Sequence, residues 1–270
     1  MNDFSFRTNE GLKLLVCKPL EQLGFKNAFS TRLGGVSSLP AQSLNLGNFR
    51  QDRCENIIEN RRRFLAALAA SAWTLVTARQ HHSADIHSIR NEQEARREPV
   101  PCDALTTNIS RTLLAVQIAD CMPILLVDQR SRAFAAVHAG WRGSLASIVS
   151  RTLERMQLTY DSQPTDIRAA LGPAIGVCCF EVGPEVVAQF EQAFSFGSLA
   201  LKRRQPEGKA YLDLGFVNRQ LLLDTGVRPE NIFDCALCTA CNTELFFSHR
   251  CERGAERTVG RSMGVVGREV

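Results

Sequence analysis

The strongest constraint on the fold is the stretch from residue 121 to residue 143. Two apolar segments, Ile124–Val127 and Ala133–Val137, flank five polar, turn-like residues. Apolar segments of this length are typical of buried strands, so the stretch predicts a β-hairpin. With the turn at the middle of the polar segment, directly opposed residues have numbers that sum to about 259. This register places Cys121 opposite His138.

A cysteine and a histidine at that position offer chemistry as well as packing. Opposed residues of antiparallel strands share a face, with Cβ atoms roughly 4.5–5.5 Å apart, although a slip of one residue would separate them. Three interpretations are compatible with the pair. Cys121 and His138 share a zinc ion with a third ligand; or His138 lowers the pKa of Cys121 and leaves a nucleophilic thiolate; or both are buried packing residues.

Composition limits the structural class to which the protein can belong. The chain has 270 residues, of which 44% are hydrophobic and 22% charged, as in globular proteins with a substantial core. No repeat or linker divides it, so we expect one domain over residues 1–270. Strands and helices intermix without regular βαβ alternation, which favours an α+β fold. The last buried strand is predicted at residues 245–250.

Charge and targeting signals limit the partners and the cellular location that we expect for the protein. Lysine and arginine exceed aspartate and glutamate by 32 to 28, a net charge of +4 without the clustered patch of a nucleic-acid-binding protein. No apolar run approaches the roughly 18–20 residues of a membrane span. The N-terminal residues lack the pattern of a signal peptide. We therefore expect a cytoplasmic protein without nucleic-acid or membrane partners.

The ten cysteines are then expected to be reduced. Cys235, Cys238 and Cys241 have the Cys-x-x-Cys spacing of zinc ligands. A second such pair at the usual distance of about 15–20 residues is absent, although His249 and Cys251 lie close by in sequence. Packing is the favoured interpretation of these cysteines, and a second zinc site is the alternative.

Two further segments carry candidate functional residues. Residues 52–70 have helical periodicity, and Arg61 falls on the apolar side of this helix, where a guanidinium needs a carboxylate or another anion. Residues 75–89 look strand-like. Because neighbouring side chains of a strand point to opposite faces, only one of His81 and His82 can join a given site unless the chain bends.

A set of short motifs, taken in order, resembles the laccase-domain family. This family is also called the polyphenol oxidase or purine nucleoside phosphorylase family, and it includes bacterial peptidoglycan editing factors. Each motif alone is weak, but the ordered set is specific and extends over nearly the whole chain. The motifs are Thr31-Arg32-Leu33-Gly34-Gly35-Val36-Ser37, Leu44-Asn45-Leu46-Gly47, Glu59-Asn60-Arg61, Gln80-His81-His82-Ser83, Asp103-Ala104-Leu105-Thr106-Thr107, Ala119-Asp120-Cys121-Met122-Pro123, His138-Ala139-Gly140-Trp141-Arg142-Gly143, Leu171-Gly172-Pro173-Ala174-Ile175-Gly176, Tyr211-Leu212-Asp213-Leu214, Phe246-Phe247-Ser248 and Gly260-Arg261.

The resemblance implies a metal site and an architecture. The family's ligands are the histidine of Gln-x-His, the cysteine of Ala-Asp-Cys and the histidine of His-Ala-Gly-Trp-Arg-Gly, which here are His82, Cys121 and His138. It also implies a layered α-β-β-α sandwich with mixed β-sheets, a monomer, and zinc as the metal. Copper is the less favoured metal, because a multicopper oxidase needs several histidine-rich sites and this chain has five histidines.

The activity implied is phosphorolysis of purine nucleosides (adenosine, inosine, guanosine and methylthioadenosine) with phosphate as the second substrate, accompanied by some adenosine deamination. Alternatives are a Cys-His hydrolase or amidase that edits peptidoglycan precursors, a copper-dependent polyphenol oxidase, and a non-enzymatic role in which zinc only stabilises the fold. Two departures, His249 at the family's usual tyrosine and Cys251 at a commonly basic position, affect the expected substrate wall. The expected catalytic residues are Cys121, Asp120 (acid-base or supporting) and Arg61, and the expected substrate-binding residues are Asn45, Arg32, Arg142 and Gln80.

Overall fold

The computed structural model describes residues 3–38, 41–47, 52–252 and 259–270. Within them two six-stranded β-sheets pack face to face, and helices cover their outer faces, which confirms the predicted α-β-β-α sandwich with mixed sheets. The strands are β1 Phe4–Asn9, β2 Leu12–Cys17, β3 Phe25–Ser30, β4 Leu33–Ser38, β5 Ala41–Ser43, β6 Thr74–Thr77, β7 Ile86–Ser88, β8 Ala104–Thr107, β9 Thr112–Ile118, β10 Met122–Asp128, β11 Phe134–Ala139, β12 Ile167–Leu171, β13 Glu181–Val182, β14 Leu201–Lys202, β15 Ala210–Leu212, β16 Ile232–Asp234 and β17 Ser262–Arg268. The α-helices are α1 Lys18–Gln22, α2 Cys54–Ala67, α3 Glu92–Ala95, α4 Trp141–Leu145, α5 Ile148–Tyr160, α6 Pro184–Ala193, α7 Leu214–Asp224 and α8 His249–Glu252.

The strand order explains why the sequence lacks the regular βαβ alternation of a doubly wound sheet. The first sheet has the order β1-β2-β3-β17-β9-β6, and only its β6–β9 pair is parallel. The second has the order β16-β12-β10-β11-β8-β7, antiparallel in the centre with a parallel pair at each edge. Among the helices of the described residues, none combines the length and apolarity needed to cross a bilayer.

The central strand β10 shows how the sequence specifies three layers. Leu125 and Val127 face the first sheet and join the core between the sheets. Ile124 and Leu126 point the other way, into the core beneath the outer helices, where they pack with residues of α5 and α7. A strand covered on both faces needs apolar residues at successive positions instead of alternation. This is the reason for the continuous apolar run.

The predicted hairpin is present, but its predicted register is wrong. His138 lies opposite Pro123, and Cys121 directly precedes β10. The loop is longer than expected because the Asp128 carboxylate accepts backbone N–H bonds from Arg130 (2.8 Å) and Ser131 (3.2 Å), which holds four residues in the turn. The register differs by two positions, and side chains alternate with a period of two, so Cys121 and His138 keep the same face.

Two other predicted strands are corrected. Residues 75–89 form two short strands, β6 and β7, separated by a bend at His82, which has a φ of 64°. Residues 245–250 contain no strand, and the last strand is β17, at the centre of the first sheet. Its glycines hid it from the apolar pattern. A Cβ on Gly264 would lie 2.8 Å from Pro123 Cβ, so glycine permits the close approach of the two sheets there.

Candidate metal centre and active site

His82, Cys121 and His138 meet at one end of the central hairpin. Their ligand atoms all lie within 4.8 Å of one another. His138 lies on β11, Cys121 directly precedes β10, and His82 lies in the bend that follows β6. Two imidazoles and a thiolate form a donor set that zinc accepts while keeping a fourth position open. The structure thus places together the three residues that the sequence selected, and metal binding by them remains a prediction.

The buried carboxylate of Asp103 organises this cluster. Its Oδ1 lies 2.8 Å from His138 Nδ1, and the side chain is fully buried. A carboxylate bonded to Nδ1 fixes the ring and leaves Nε2 directed toward the other two side chains. Asp103 also accepts the backbone N–H groups of His82 (3.1 Å) and Ser83 (2.7 Å). One carboxylate therefore positions two of the three candidate ligands.

Electrostatics favours a charged pair in this cluster. Burial alone would raise the pKa of Cys121, but the imidazoles of His138 and His82 outweigh it and lower the pKa to about 6. Burial alone would lower the pKa of His138, but Cys121 and Asp103 raise it to about 9. Burial likewise opposes ionisation of Asp103, yet hydrogen bonds from His138 and Ser83 hold its pKa well below the usual range. Without a metal, Cys121 is therefore a thiolate at neutral pH, the form that binds metals and attacks electrophiles.

Gly140 leaves the space that this cluster needs. Its φ of −75° is open to any residue, so conformational freedom is not the reason for glycine. A Cβ at this position would lie 2.9 Å from Cys121 Sγ and 3.4 Å from His82 Cδ2. The absent side chain therefore allows two candidate ligands to approach the end of β11.

Gly140→Ala is expected to weaken zinc binding at this cluster by about 10-fold, within the range for disturbed support of a metal ligand. The added methyl group displaces the Cys121 sulfur, and competition with a chromogenic chelator measures the change. The matched control is Gly143→Ala, whose Cβ would meet Ser83 O at 3.2 Å but no ligand side chain. Equal affinities for the two variants would contradict this role of Gly140.

A cavity of ≈ 1190 Å³ opens beside the three candidate ligands, and all three line it. This volume is somewhat above the range of about 300–1,000 Å³ that is typical of small-molecule sites. Trp141 and Phe180 contribute aromatic side chains, a residue type that suits a planar ring. Positive charge predominates, which favours an anionic ligand. Of the described lining residues five are arginines and two are acidic, namely Arg61, Arg79, Arg142, Arg250 and Arg261 against Glu98 and Asp120.

Three of the predicted substrate and phosphate residues line this cavity. Arg61 of α2 donates from Nε to Leu46 O (2.8 Å), and burial lowers its pKa to about 10, so it keeps its charge at neutral pH. The guanidinium of Arg142 lies 4.2 Å from the centre of the Trp141 ring. Gln80 lines the cavity too, although its amide is bonded to the backbone N–H and C=O of one β9 residue.

Arg32 and Asn45, also predicted to bind substrate, lie outside the lining of this cavity. Arg32 is 7% exposed, donates to Thr243 O (2.7 Å) and forms an ion pair with Glu252. Asn45 is fully buried, and its Oδ1 accepts the backbone N–H of Arg261 (2.9 Å). These internal contacts use their polar groups, so we do not retain either residue as a substrate ligand.

Asp120 lines the cavity, but its carboxylate is committed to neighbouring loops. Oδ1 accepts the Thr239 hydroxyl (2.6 Å), and Oδ2 accepts the backbone N–H of Arg250 (2.6 Å). Its φ of 82° turns the chain just before Cys121. Of the two predicted roles, this geometry favours support of the site over acid-base chemistry.

Sequence reasoning gave no role to Asp103, Arg250 or Arg261. Asp103 and Arg261 belong to family-like motifs, and an acidic residue directly before a buried strand was the available signal for Asp103. Arg261 lines the cavity and anchors to Asn45 through its backbone. His249 lines the cavity as well, so this departure from the family pattern falls on the wall of the site.

Comparisons with known proteins agree with this architecture. Residues 26–269 match the family described as multi-copper polyphenol oxidoreductase laccase. The chain is 36% identical over 245 residues to a protein of Geobacillus stearothermophilus named purine nucleoside phosphorylase YlmD, covering 88% of each. It is 36% identical over 247 residues to a protein from an unknown prokaryotic organism named adenosine deaminase RL5, covering 86% of this chain and 93% of that one. The crystal structure of YlmD from Geobacillus stearothermophilus matches with a TM-score of 0.91 and 33% identity over the whole of both chains.

Proposed function

Because this chain belongs to the multi-copper polyphenol oxidoreductase laccase family, we propose that it is a zinc-dependent purine nucleoside phosphorylase. The substrates are adenosine, inosine, guanosine or methylthioadenosine, together with phosphate. One observation carries the proposal: a candidate metal cluster, five arginines and two aromatic side chains line the same cavity. These groups match the two substrates, since a phosphorylase must hold an anion against the ribose of a nucleoside whose base is planar.

The residues present fit zinc. His82, Cys121 and His138 supply two nitrogen donors and one sulfur donor, and the Asp103 carboxylate orients the His138 ring. A bound zinc ion would supply a Lewis acid at this position. Copper also accepts this donor set, but only two of the chain's five histidines belong to it. Multi-electron oxidation by several copper centres therefore receives less support from this chain.

The chain's own side chains bind and orient the reactants. In phosphorolysis a phosphate oxygen forms a bond to the ribose anomeric carbon as the bond from that carbon to the purine nitrogen breaks. Arg61 and Arg142 bind the phosphate, and guanidinium groups suit this anion because they donate two parallel hydrogen bonds. The Trp141 and Phe180 rings contact the base. Holding both reactants in one cavity replaces an encounter of two molecules by a reaction within one complex.

The test is incubation of the pure zinc-loaded protein with adenosine, with and without phosphate, followed by chromatography of the products. We expect adenine only when phosphate is present, and no adenine from His82→Ala. Inosine formed without phosphate would mean deamination, the activity in the name of one relative. The absence of both products, with the other nucleosides also unchanged, would contradict the proposal.

Arg61→Gln is expected to raise the KM for phosphate about 10- to 100-fold, the effect of losing a hydrogen bond from a charged group to the anion. Initial rates at varied phosphate measure it. Arg62→Gln is the matched control on the same helix, because Arg62 is exposed and pairs with Glu59 (2.7 Å). Equal KM values for the two variants would remove Arg61 from the phosphate site.

A second function is favoured by one specific observation. Cys121, His138 and Asp103 stand in the order of nucleophile, base and orienting carboxylate, and the pKa of Cys121 is lowered to about 6. This arrangement supports a thiol hydrolase or amidase acting on peptidoglycan precursors. Such an activity needs Cys121 free of metal. It would therefore survive a chelator and be lost on alkylation, whereas phosphorolysis would be lost with the chelator.

A further inference from the structure

A second cluster of sulfur ligands lies apart from the three cavity ligands. The Sγ atoms of Cys178, Cys179, Cys238 and Cys241 all lie within 4.8 Å of one another, and Cys241 Sγ is 3.4 Å from the sulfurs of both Cys178 and Cys179. A tetrahedral zinc with bonds of about 2.3 Å separates its sulfurs by about 3.8 Å. We propose that these four cysteines bind a second, structural zinc ion.

Exposure distinguishes two members of this cluster from the packing cysteines of the core. Cys178 and Cys241 are exposed, whereas Cys17 and Cys102 are buried in the core between the sheets and show what packing cysteines look like in this fold. Cys235 also packs against that core and takes no part in the cluster. Of the three cysteines for which the sequence favours packing, Cys235 is the one that packs against this core.

The backbone around the cluster is arranged as at a metal-bound thiolate. Cys178 and Cys179 lie in the turn after β12, and Cys238 forms a bridge with Ala174 beside that turn. The backbone N–H of Gly176 donates to Cys238 Sγ at 3.2 Å. A hydrogen bond to the sulfur supports a negatively charged ligand and fixes its direction.

Four thiolates fill a tetrahedral site and leave no position for a substrate. The chemistry points to a structural ion, which joins two loops that are distant in sequence. Two zinc ligands before β13 come as an adjacent pair instead of a Cys-x-x-Cys pair. The sequence therefore contains no second Cys-x-x-Cys motif at zinc-ribbon distance.

Of the two loops that this ion would join, one lines the cavity through Ile175 and Phe180, and the other contacts the lining residue Asp120. Thr239, within the Cys238–Cys241 turn, donates to the Asp120 carboxylate. Arg250 donates from its side chain to Cys179 O (3.3 Å) and from its backbone to Asp120. The second zinc would thereby support the turn that precedes Cys121, without contacting the substrate.

Elemental analysis of the full-length protein, purified with zinc under reducing conditions, tests the inference. We expect two zinc ions per chain in the wild type, one in Cys241→Ser, one in Cys121→Ala and none in the double variant. The control is Cys251→Ser, since Cys251 is exposed, near the cluster in sequence and outside it, and this variant should keep both ions. Retention of two ions by Cys241→Ser would overturn the proposal, whatever the outcome for the cavity site.

A measurement on the wild type makes the test independent of how Cys241→Ser folds. The protein is alkylated before and after chelation, and the modified thiols are identified by peptide mass spectrometry. We expect the thiols at 178, 179, 238 and 241 to be protected by zinc and to react after chelation, while Cys54 and Cys251 react in both samples. Equal alkylation of the four in both samples, or a disulfide between Cys241 and either neighbour in the reduced preparation, would overturn the second zinc site.

Discussion

Cys121→Ala is expected to lose the zinc ion of the cavity and to lower kcat/KM for adenosine phosphorolysis by about 10³-fold or more. The substitution removes the anionic donor of the set and leaves only the two imidazole nitrogens. Lewis-acid stabilisation contributes several kcal/mol, and each 1.36 kcal/mol corresponds to a tenfold change in rate. Metal analysis and initial rates on the same preparation measure both effects.

The control for this variant is Cys54→Ala, a cysteine exposed at the start of α2. It should keep both the metal and the rate, and circular dichroism should show the same fold for both variants. A Cys121→Ala protein that keeps stoichiometric metal in the cavity would refute the ligand assignment. A variant that loses the metal but keeps the rate would support Cys121 as a ligand and would refute the catalytic requirement for zinc.

The sequence was sufficient to predict the central hairpin and that its ends share a face. The apolar runs of β10 and β11 carry this information, because each strand is covered on both sides. The register was not predictable from those runs. It depends on the Asp128 carboxylate, which accepts two backbone N–H groups and lengthens the turn by two residues. Side-chain hydrogen bonds of this kind leave no trace in hydrophobic periodicity.

The partners of the site residues could not be read from local pattern at all. Asp103 and His138 are 35 residues apart in sequence, and Cys178 and Cys241 are 63 apart. Motifs that resemble a family gave the candidate metal ligands, but they did not distinguish residues in the cavity from residues beneath it. Arg32 is the example, because its ion pair with Glu252 of α8 joins two residues that are 220 positions apart in the sequence.

The metal-ligand candidates and the cavity wall are each tied to the sandwich through a carboxylate. Asp103 joins the end of β11 to the bend at His82, and Asp120 joins the start of β10 to the loops at Thr239 and Arg250. Buried carboxylates that accept several hydrogen bonds are rigid anchors, because moving them would leave donors unpaired. Of the two, Asp103 is the more completely buried, so its removal should have the larger effect.

Asp103→Asn is expected to destabilise the metal-free protein by about 3 kcal/mol, the cost of disrupting a buried charged hydrogen-bond network. Both carboxylate oxygens accept hydrogen bonds, Oδ1 from His138 and His82 and Oδ2 from Ser83. The side-chain NH2 group of asparagine would meet hydrogen-bond donors in either of the two positions that the carboxylate oxygens occupy. Zinc affinity at the cavity should fall about 10- to 100-fold as His138 loses its orienting partner. Urea denaturation and chelator competition measure the two effects.

The stability difference between the wild type and Asp103→Asn should depend on pH. This dependence distinguishes an effect of the lost charge from an effect of altered packing. Because the pKa of Asp103 is held below its usual range, its stabilisation is present above the unfolded-state value of about 3.9 and is lost as the pH falls below it. The gap between wild type and Asp103→Asn should therefore be full at neutral pH and narrow below about pH 4. Asp85→Asn is the control, since Asp85 is exposed and its side chain bonds only to His81 in the described contacts, and it should change stability by less than about 1 kcal/mol. A gap that stays constant through the acid range, or equal behaviour of the two variants, would contradict the role assigned to the Asp103 charge.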